Sequence, residues 1–310
     1  MVEDDQIKTK ISPFAIREGE IKTFDGKDGY VSMNQIVNKI NTGIITDVHF
    51  QILEIVNKFE FITSRQLYQV LELQGTDLKT QDKLNKKLEQ LIKTKILTRY
   101  YFNSCEGKGI YRIYCLDKMG KYLLESKEIE CNWQPSDNIK TVPMIKKRLA
   151  GNQILIAYLR KSQYTDSYTV KPALKDKITG KTFKASGGLI KLTKNNQSIN
   201  LIYEVIRREK DWKVKLIDKL KMYKDFYDNF VPGDSNMDMI PQLILVGEDD
   251  KHIVEIFKEI LTNKIEIDKI NFYFTSDLKQ NSETLENTLT QFVINNNKYE
   301  MKNISLKILA

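Results

Sequence analysis

The fold is decided by residues 62–116, which read ITSRQLYQVLELQGTDLKTQDKLNKKLEQLIKTKILTRYYFNSCEGKGIYRIYCL. The hydroxyl pair Thr63-Ser64 suits the N-terminus of a helix. The apolar residues that follow have the i, i+3, i+4 spacing of one buried helical face: Leu67, Val70 and Leu71. Gly75 ends this helix, and we expect a second one from Asp77 to Lys95. Its apolar positions are also helically spaced: Leu84, Leu88, Leu91 and Ile92.

Two strands joined by a glycine-containing turn are predicted after these helices, at residues 96–102 and 110–116. Tyrosines alternate across the two faces of this hairpin, so at least half of them should be core residues: Tyr100, Tyr101, Tyr111 and Tyr114. Further helices are expected on either side, at residues 47–59 and 117–126. Helix, turn, basic helix and hairpin in this order indicate a winged helix-turn-helix over residues 46–126.

The composition indicates a basic, globular chain of about two domains. It has 310 residues and a formal net charge of +8, which favours a polyanionic partner. No apolar run is long enough to cross a membrane. The acidic N-terminus lacks the pattern of a secretory signal. Three cysteines and no export signal predict reduced cytosolic thiols. His49 and His252 are far apart in the sequence, so we expect ordinary structural or surface histidines, no metal site and no cofactor.

The predicted winged helix lies between an N-terminal extension, residues 1–45, and a linker, residues 127–141, that contains Pro135. The extension should hold a short strand at 20–24 and a helix at 32–40 capped by Ser32, and we expect it to pack on the winged helix. A second domain is predicted from residue 142 to residue 310.

The second domain is predicted to be an α/β domain with a central mixed sheet. The predicted helices lie at residues 142–160, 212–230, 253–261 and 283–292. The predicted strands lie at residues 168–171, 188–192, 199–206, 242–246, 270–275 and 304–309. The apolar run at 242–246 is typical of a buried parallel strand. The fold class of the whole chain is therefore α+β for the winged helix and α/β for the second domain.

Basic residues are concentrated in the first half of the second domain. Residues 168–224 hold 15 Lys/Arg against 5 Asp/Glu, whereas residues 225–310 hold 8 against 15. This asymmetry predicts a second surface that contacts phosphate: Lys146, Lys147, Arg148, Arg207, Arg208, Lys210 and Lys213. The cations of residues 146–148 oppose the dipole at the start of their helix. A ligand, an acidic neighbour or simple solvation would balance them.

An opening helix followed by three strands, a helix and a further strand is also the order of the PD-(D/E)xK nuclease core. Such an enzyme needs an acidic residue in its second strand and an acid-x-Lys set in its third, to hold Mg²⁺ and orient water. Here the third strand offers Glu204, but Ile206 stands where the lysine belongs, and the second strand opens with Gly187-Gly188. We therefore expect a degenerate nuclease fold, with Glu204 paired to Arg207, Arg208 or a lysine of the following helix.

Several segments together resemble the replication-relaxation family of bacterial plasmid and mobile-element proteins. They are KKRLAGNQIL at 146–155, YEV at 203–205, KLKMY at 219–223 and PQLILV at 241–246, all after the winged helix. The resemblance covers residues 46–275 and implies a plasmid DNA partner, a role in replication or DNA relaxation, and a nuclease-like second domain. Ile206 departs from the acidic residue that the family would place there.

The leading hypothesis is a non-enzymatic protein that binds double-stranded DNA sequence-specifically, with the second helix of the winged helix in the major groove. Lysines of that helix would contact phosphate, while Gln81 and Asn85, one turn apart, would read base edges. The alternative for each residue is an ordinary solvated surface position. The predicted contacts are Arg65, Gln66, Lys79, Thr80, Gln81, Lys83, Asn85, Lys86 and Lys87, with Lys108 and Arg112 in the wing.

Two other functions remain open at this point. One is a metal-dependent nuclease that recruits further carboxylates, such as Asp176, Glu209 or Asp211. The other is a scaffold or transcriptional regulator that docks replication or relaxation proteins of the same element. A homodimer is expected if the DNA site is palindromic.

Overall fold

The computed structural model of the protein describes residues 11–104, 107–108, 111–233, 235, 237–267, 271–282, 284–295 and 298–309. The chain divides into two compact units. One is Ile16–Ile156. The other combines residues 11–15 with Ala157–Ala310. Helix α6 contributes residues to both units.

The unit Ile16–Ile156 contains helices around a small antiparallel sheet, with strand order β1-β3-β5-β2 and β4 paired to β3. Its elements are β1 (Ile21–Phe24), α1 (Met33–Asn41), α2 (Asp47–Phe59), β2 (Ile62–Thr63), α3 (Ser64–Leu73), α4 (Gln81–Lys93), β3 (Leu97–Ser104), β4 (Gly107–Lys108), β5 (Ile113–Leu116), α5 (Lys118–Glu125) and the first part of α6 (Val142–Lys161).

The core of this unit is built from the helically spaced apolar positions that the sequence predicts. Leu67 and Leu71 of α3 and Leu84, Leu88 and Leu91 of α4 are all fully buried. The tyrosine prediction is confirmed as well, because Tyr100 and Tyr114 are buried in the sheet. β1 pairs with β3 in antiparallel register, so this strand of the predicted N-terminal extension packs on the hairpin, whereas residues 11–15 belong to the other unit.

Local capping explains where the helices begin. The Ser32 and Thr63 hydroxyls each accept a hydrogen bond from the backbone N–H three residues on, and a glutamine side chain completes a capping box in both cases. The predicted start of α4 at Asp77 is wrong. Gly75 adopts a left-handed φ of +66°, and the Thr80 hydroxyl accepts a hydrogen bond from the N–H of Lys83, so α4 begins at Gln81.

The second unit has a seven-stranded sheet in the order β14-β13-β12-β11-β10-β9-β6. β10, β11 and β12 are parallel, and the other neighbours are antiparallel, which confirms the predicted mixed sheet. The elements are β6 (Thr165–Thr169), β7 (Ala173–Lys175), β8 (Thr182–Lys184), β9 (Gly188–Lys194), β10 (Gln197–Val205), α7 (Trp212–Asp228), β11 (Gln242–Gly247), α8 (Asp250–Thr262), β12 (Tyr273–Ser276), α9 (Asp277–Ser282), β13 (Leu289–Asn295) and β14 (Lys298–Ile304).

Two predictions near the end of the chain are wrong. The segment 283–292 is not a helix: in its described part a short 3-10 turn (Leu285–Asn287) precedes β13. β14 ends at Ile304, where the last strand was expected to begin. The physical reason is pairing between distant residues, since β13 and β14 form a hairpin and the Phe292 ring stacks on Phe257 of α8, with centroids 3.8 Å apart.

No helix among the described residues is both long enough and apolar enough to span a lipid bilayer.

Candidate nucleic-acid interface

Helix α4 presents a polar, basic face opposite its buried one. Four apolar side chains anchor it in the core of its unit, and the remaining positions point outward. The two acidic residues of this helix have other roles. Asp82 lies in the first turn, where its carboxylate interacts favourably with the helix dipole. Glu89 pairs with Arg99 at 2.7 Å. The outward face therefore keeps a positive charge.

The cations of this face have no acidic partner among the residues that the structure describes. Within the part of the chain that the structure describes, none of the lysines of α4 forms an ion pair, and the same holds for Lys79 just before it and Arg65 at the start of α3. On α4, the side chains of Lys83, Lys86 and Lys93 are exposed, and that of Lys87 is half-buried. Unpaired cations on one surface can neutralise phosphate without first losing a protein partner.

Gln81 and Asn85 lie side by side on this face, as their spacing predicts. The Gln81 Nε2 donates to the Asn85 Oδ1 at 3.2 Å and to the Ser64 carbonyl at 3.3 Å. Among the described residues, the Gln81 Oε1 and the Asn85 Nδ2 have no hydrogen-bond partner. The pair therefore presents one acceptor and one donor, held in place by a backbone contact to α3.

Two predicted contacts serve helix capping instead. Gln66 is only 1 % exposed. It accepts a hydrogen bond from the N–H of Thr63 and donates one to the Leu149 carbonyl at 2.7 Å. Its side chain is thus not available for the predicted contact with a DNA backbone. The Thr80 hydroxyl caps α4, although the residue itself is exposed.

Of the two residues predicted to lie in a wing, the structure describes the side chain of Arg112. Arg112 is half-buried, with its Nε 2.5 Å from the Asp25 carboxylate and its guanidinium over the Tyr101 ring. Asp25 is shared with Arg99 at 3.2 Å. Arg112 is therefore engaged inside its own unit. Lys108 belongs to β4, and its side chain lies outside the described residues.

Of the three residues that the first unit would contribute to the predicted second basic surface, Lys146 and Arg148 are buried. Lys146 is 1 % exposed and lies 2.5 Å from the Glu20 carboxylate, and the Arg148 Nε lies 3.5 Å from that of Glu60. Acidic neighbours thus balance these two cations, which corrects the alternative of a solvated basic turn. Lys147, which lies between these two residues in the sequence, is half-buried.

In the second unit, carboxylates also hold most of the predicted cations. Arg207 is fully buried against Asp277 at 2.9 Å, and Arg208 bonds to an acidic group of Glu248, Asp249 and Glu255. Lys213 pairs with Glu259 at 2.5 Å. Lys210 is exposed. Lys146, Arg148 and Arg207 lie inside the protein and contribute to no surface.

Glu204 has partners other than the predicted cations. It is buried near the end of β10 and accepts hydrogen bonds from the Tyr223 hydroxyl at 2.8 Å, from the Ser186 hydroxyl at 2.8 Å and from the Ser186 N–H at 3.2 Å. The prediction of pairing with Arg207, Arg208 or a lysine is wrong, because the arginines reach carboxylates after β11 and β12 instead. Ile206 is buried in the position where a nuclease would carry its lysine.

The further carboxylates considered for catalysis do not gather around Glu204. Asp176 accepts hydrogen bonds from Thr179 and Asn229, Glu209 pairs with Lys215 at 2.7 Å, and Asp211 precedes α7. Within the described ranges, no three histidine, cysteine, aspartate or glutamate side chains are grouped so that they could hold a metal ion.

A buried polar cluster lies at the carboxyl ends of the parallel strands, and sequence reasoning missed it. The Ser12 hydroxyl donates to the Asp277 carboxylate, which also binds Arg207. Burial raises the pKa of Asp277, although Arg207 and Ser12 oppose the shift. His252 is buried near Arg207 and Arg208, and this burial lowers its pKa to about 3. The charged residues that follow each apolar strand were the signal in the sequence.

His49 is structural, as predicted. It is fully buried, its Nδ1 accepts a hydrogen bond from the Thr46 N–H at 2.9 Å, and its Nε2 lies 2.9 Å from the Gln90 Oε1 of α4. Burial lowers its pKa. The contact fixes α4 against the start of α2.

No protein-family model matches the sequence, and comparison with curated proteins finds no match. Among solved structures, the chain is similar to one described as the structure of restriction endonuclease FokI, at 11 % sequence identity and a TM-score of 0.24. That match covers 75 % of this chain and 42 % of the FokI chain, so this chain spans well under half of that protein. A likeness of this degree carries no argument about fold or activity.

Proposed function

We propose that the protein binds double-stranded DNA sequence-specifically through a winged helix-turn-helix over residues 46–126. Three helices, α2, α3 and α4, precede the antiparallel pair β3 and β5, and this order supports the assignment. α4 is the recognition helix of the proposal, and it enters the major groove with its outward face.

The observation that carries the proposal is the unpaired basic face of α4 together with the Gln81–Asn85 pair. Lysines such as Lys83 and Lys86 contact phosphate and position the protein. The free acceptor of Gln81 and the free donor of Asn85 match the N6 donor and N7 acceptor of adenine, which the major groove displays together. Affinity and base preference then come from the same helix.

The second unit has a non-catalytic role in this proposal. After α6, and leaving aside the separate two-stranded sheet of β7 and β8, the order β6, β9, β10, α7 and β11 resembles that of a PD-(D/E)xK core. We infer that this core is degenerate, because the Glu204 carboxylate accepts hydrogen bonds from the Ser186 and Tyr223 hydroxyls inside the core. The resemblance to replication-relaxation proteins supports plasmid or mobile-element DNA as the target. Replication or DNA relaxation is then the process served, and the second unit serves binding or assembly.

The test is a binding titration against DNA fragments from the element that encodes the protein, at two salt concentrations. We compare wild type with Lys83→Glu/Lys86→Glu, which reverses two exposed cations. We expect wild type to prefer one fragment, and the variant to lose at least about tenfold in affinity, because each phosphate contact contributes about 0.9 to the slope of log K against log salt.

The matched control is Lys251→Glu/Lys258→Glu, which makes the same change in charge on two exposed lysines of α8. It should bind like wild type. Equal binding of all fragments, or equal losses in both variants, would sink the proposal. Adding Mg²⁺ and following strand cleavage tests the non-catalytic part: cleavage that Glu204→Gln abolishes would assign nuclease activity to the second unit.

A further inference from the structure

The N-terminal extension and the end of α4 form an open groove within the first unit, and polar and charged side chains lie among the apolar surface of its lining. Its volume is about 410 Å³, and it is lined by Val31, Gln35, Asn38, Lys39, Thr42, Lys93 and Thr94. All but Lys93 and Thr94 come from α1 or its flanks. The lining thus combines two lysines with amide and hydroxyl groups.

Lys39 and Lys93 are the charged residues in the lining of this groove. Among the described residues, neither Lys39 nor Lys93 forms an ion pair, whereas the cations next along the chain are engaged: the Lys95 Nζ donates to the Gly29 carbonyl at 2.7 Å, and Arg99 pairs with Glu89. No aspartate or glutamate occurs from residue 31 to residue 46. A groove with two free cations, hydrogen-bonding side chains and no carboxylate in its lining suits an anion.

The groove lies at one end of the basic face of α4. Lys86 and Lys93 are seven residues apart, which places them on the same side of the helix. The helix rises about 1.5 Å per residue, so Lys93 lies about 15 Å along the axis from Lys83. The major groove of B-DNA is about 12 Å wide. With Lys83 in the major groove, Lys93 therefore reaches the sugar-phosphate strand that borders it.

We infer that the groove between α1 and the last turn of α4 is a second phosphate-binding surface, and that Lys39 and Lys93 clamp the DNA strand flanking the recognition helix. This inference rests on the proposed function and deepens it. It assigns the N-terminal extension a part in DNA binding, where the sequence predicted only packing. Because these contacts are to phosphate, they add affinity without adding base preference.

A purely structural role for these lysines makes a different prediction. Lys39 and Lys93 lie in the last turns of their helices, where a cation stabilises the helix dipole. If that were their whole role, replacing them would lower the melting temperature and leave DNA binding by the folded protein unchanged. The salt dependence of binding separates the two roles.

The experiment compares wild type, Lys39→Glu/Lys93→Glu and the milder Lys39→Gln/Lys93→Gln on the best-bound fragment and on an unrelated duplex. We expect both variants to weaken binding to both duplexes by a similar factor, about five- to tenfold or more, and to reduce the salt slope by about 1.8, or 0.9 for each lost contact. The ratio of the two affinities should stay as in wild type. The Gln variant guards against misfolding of the Glu variant.

A changed melting temperature with an unchanged salt slope would overturn the inference, as would binding equal to wild type. If Lys83→Glu/Lys86→Glu loses binding while Lys39→Gln/Lys93→Gln does not, the proposed function stands and the groove has no part in it. If wild type itself binds no duplex, the proposed function fails, and the inference fails with it.

Discussion

The Tyr223 hydroxyl donates a hydrogen bond of 2.8 Å to the Glu204 carboxylate, and both side chains are buried. Glu204 is therefore an integral part of the core between β10 and α7. Ser186 supplies its other two hydrogen bonds. A carboxylate held in this way stabilises the fold, because its hydrogen bonds are made inside the core.

The first prediction concerns this hydrogen bond. Tyr223→Phe should lower the free energy of unfolding by about 1 to 3 kcal/mol, because it leaves a buried acceptor with one partner fewer. Tyr227→Phe is the matched control: Tyr227 is equally buried, and its hydroxyl has no hydrogen-bond partner among the described residues. That change should be nearly neutral. Urea unfolding measures both, and equal losses would contradict the assigned role of Glu204.

The second prediction concerns pH. Burial lowers the pKa of His252 to about 3, whereas an unfolded chain keeps a value near 6.5. As the pH falls below about 6.5, His252 takes up a proton in the unfolded state but stays neutral in the folded state. The free energy of unfolding therefore falls progressively toward pH 3. Between about pH 7 and about pH 5, this single group should cost about 2 kcal/mol.

The measurement compares wild type with His252→Asn, whose Oδ1 can replace the Nδ1 that accepts a hydrogen bond from the Glu248 N–H. Urea unfolding at the two pH values should give the variant a smaller loss of stability on acidification, by about 2 kcal/mol. Parallel pH profiles for the two proteins would refute the prediction.

The third prediction separates two adjacent residues at the start of α3. Gln66→Ala should lower the free energy of unfolding by about 1 to 3 kcal/mol, since it removes one half of the capping box at Thr63 and a buried hydrogen bond to the Leu149 carbonyl. It should not change the DNA affinity of the folded protein. Arg65→Ala should leave stability within about 0.5 kcal/mol and weaken DNA binding. Thermal melts measure the stability of both variants, and titrations at matched fractions of folded protein measure their DNA affinity. A loss of affinity for Gln66→Ala, or none for Arg65→Ala, would contradict the prediction.

Much of the fold follows from the sequence because its signals are local. Helical spacing in α3 and α4 and the apolar run of β11 place these elements, and the mixed sheet follows from their order. The start of α4 was misplaced because Asp77 and Thr80 are both good caps, and only the path of the chain after Gly75 decides between them. The pairing of β13 with β14 produces no comparable pattern in the local sequence.

The contacts of the candidate site were harder to predict. Lysine side chains on an exposed helical face follow from periodicity, so the basic face of α4 could be predicted. The partners of Glu204 come from residues 18 and 19 positions away on other elements, and no spacing rule connects them. The burial of Gln66 depends in the same way on Leu149, which lies 83 residues further on.

The contact between Ser12 and Asp277 has a consequence for synthesis of the chain. These residues are 265 positions apart, and translation proceeds at about 5–20 residues per second, so Ser12 leaves the ribosome roughly 13 to 50 seconds before its acceptor is made. In the second part of that interval, after Ile156 has been translated, the unit Ile16–Ile156 is complete and can fold while elongation continues. The second unit closes last, around a segment that was among the first to be translated.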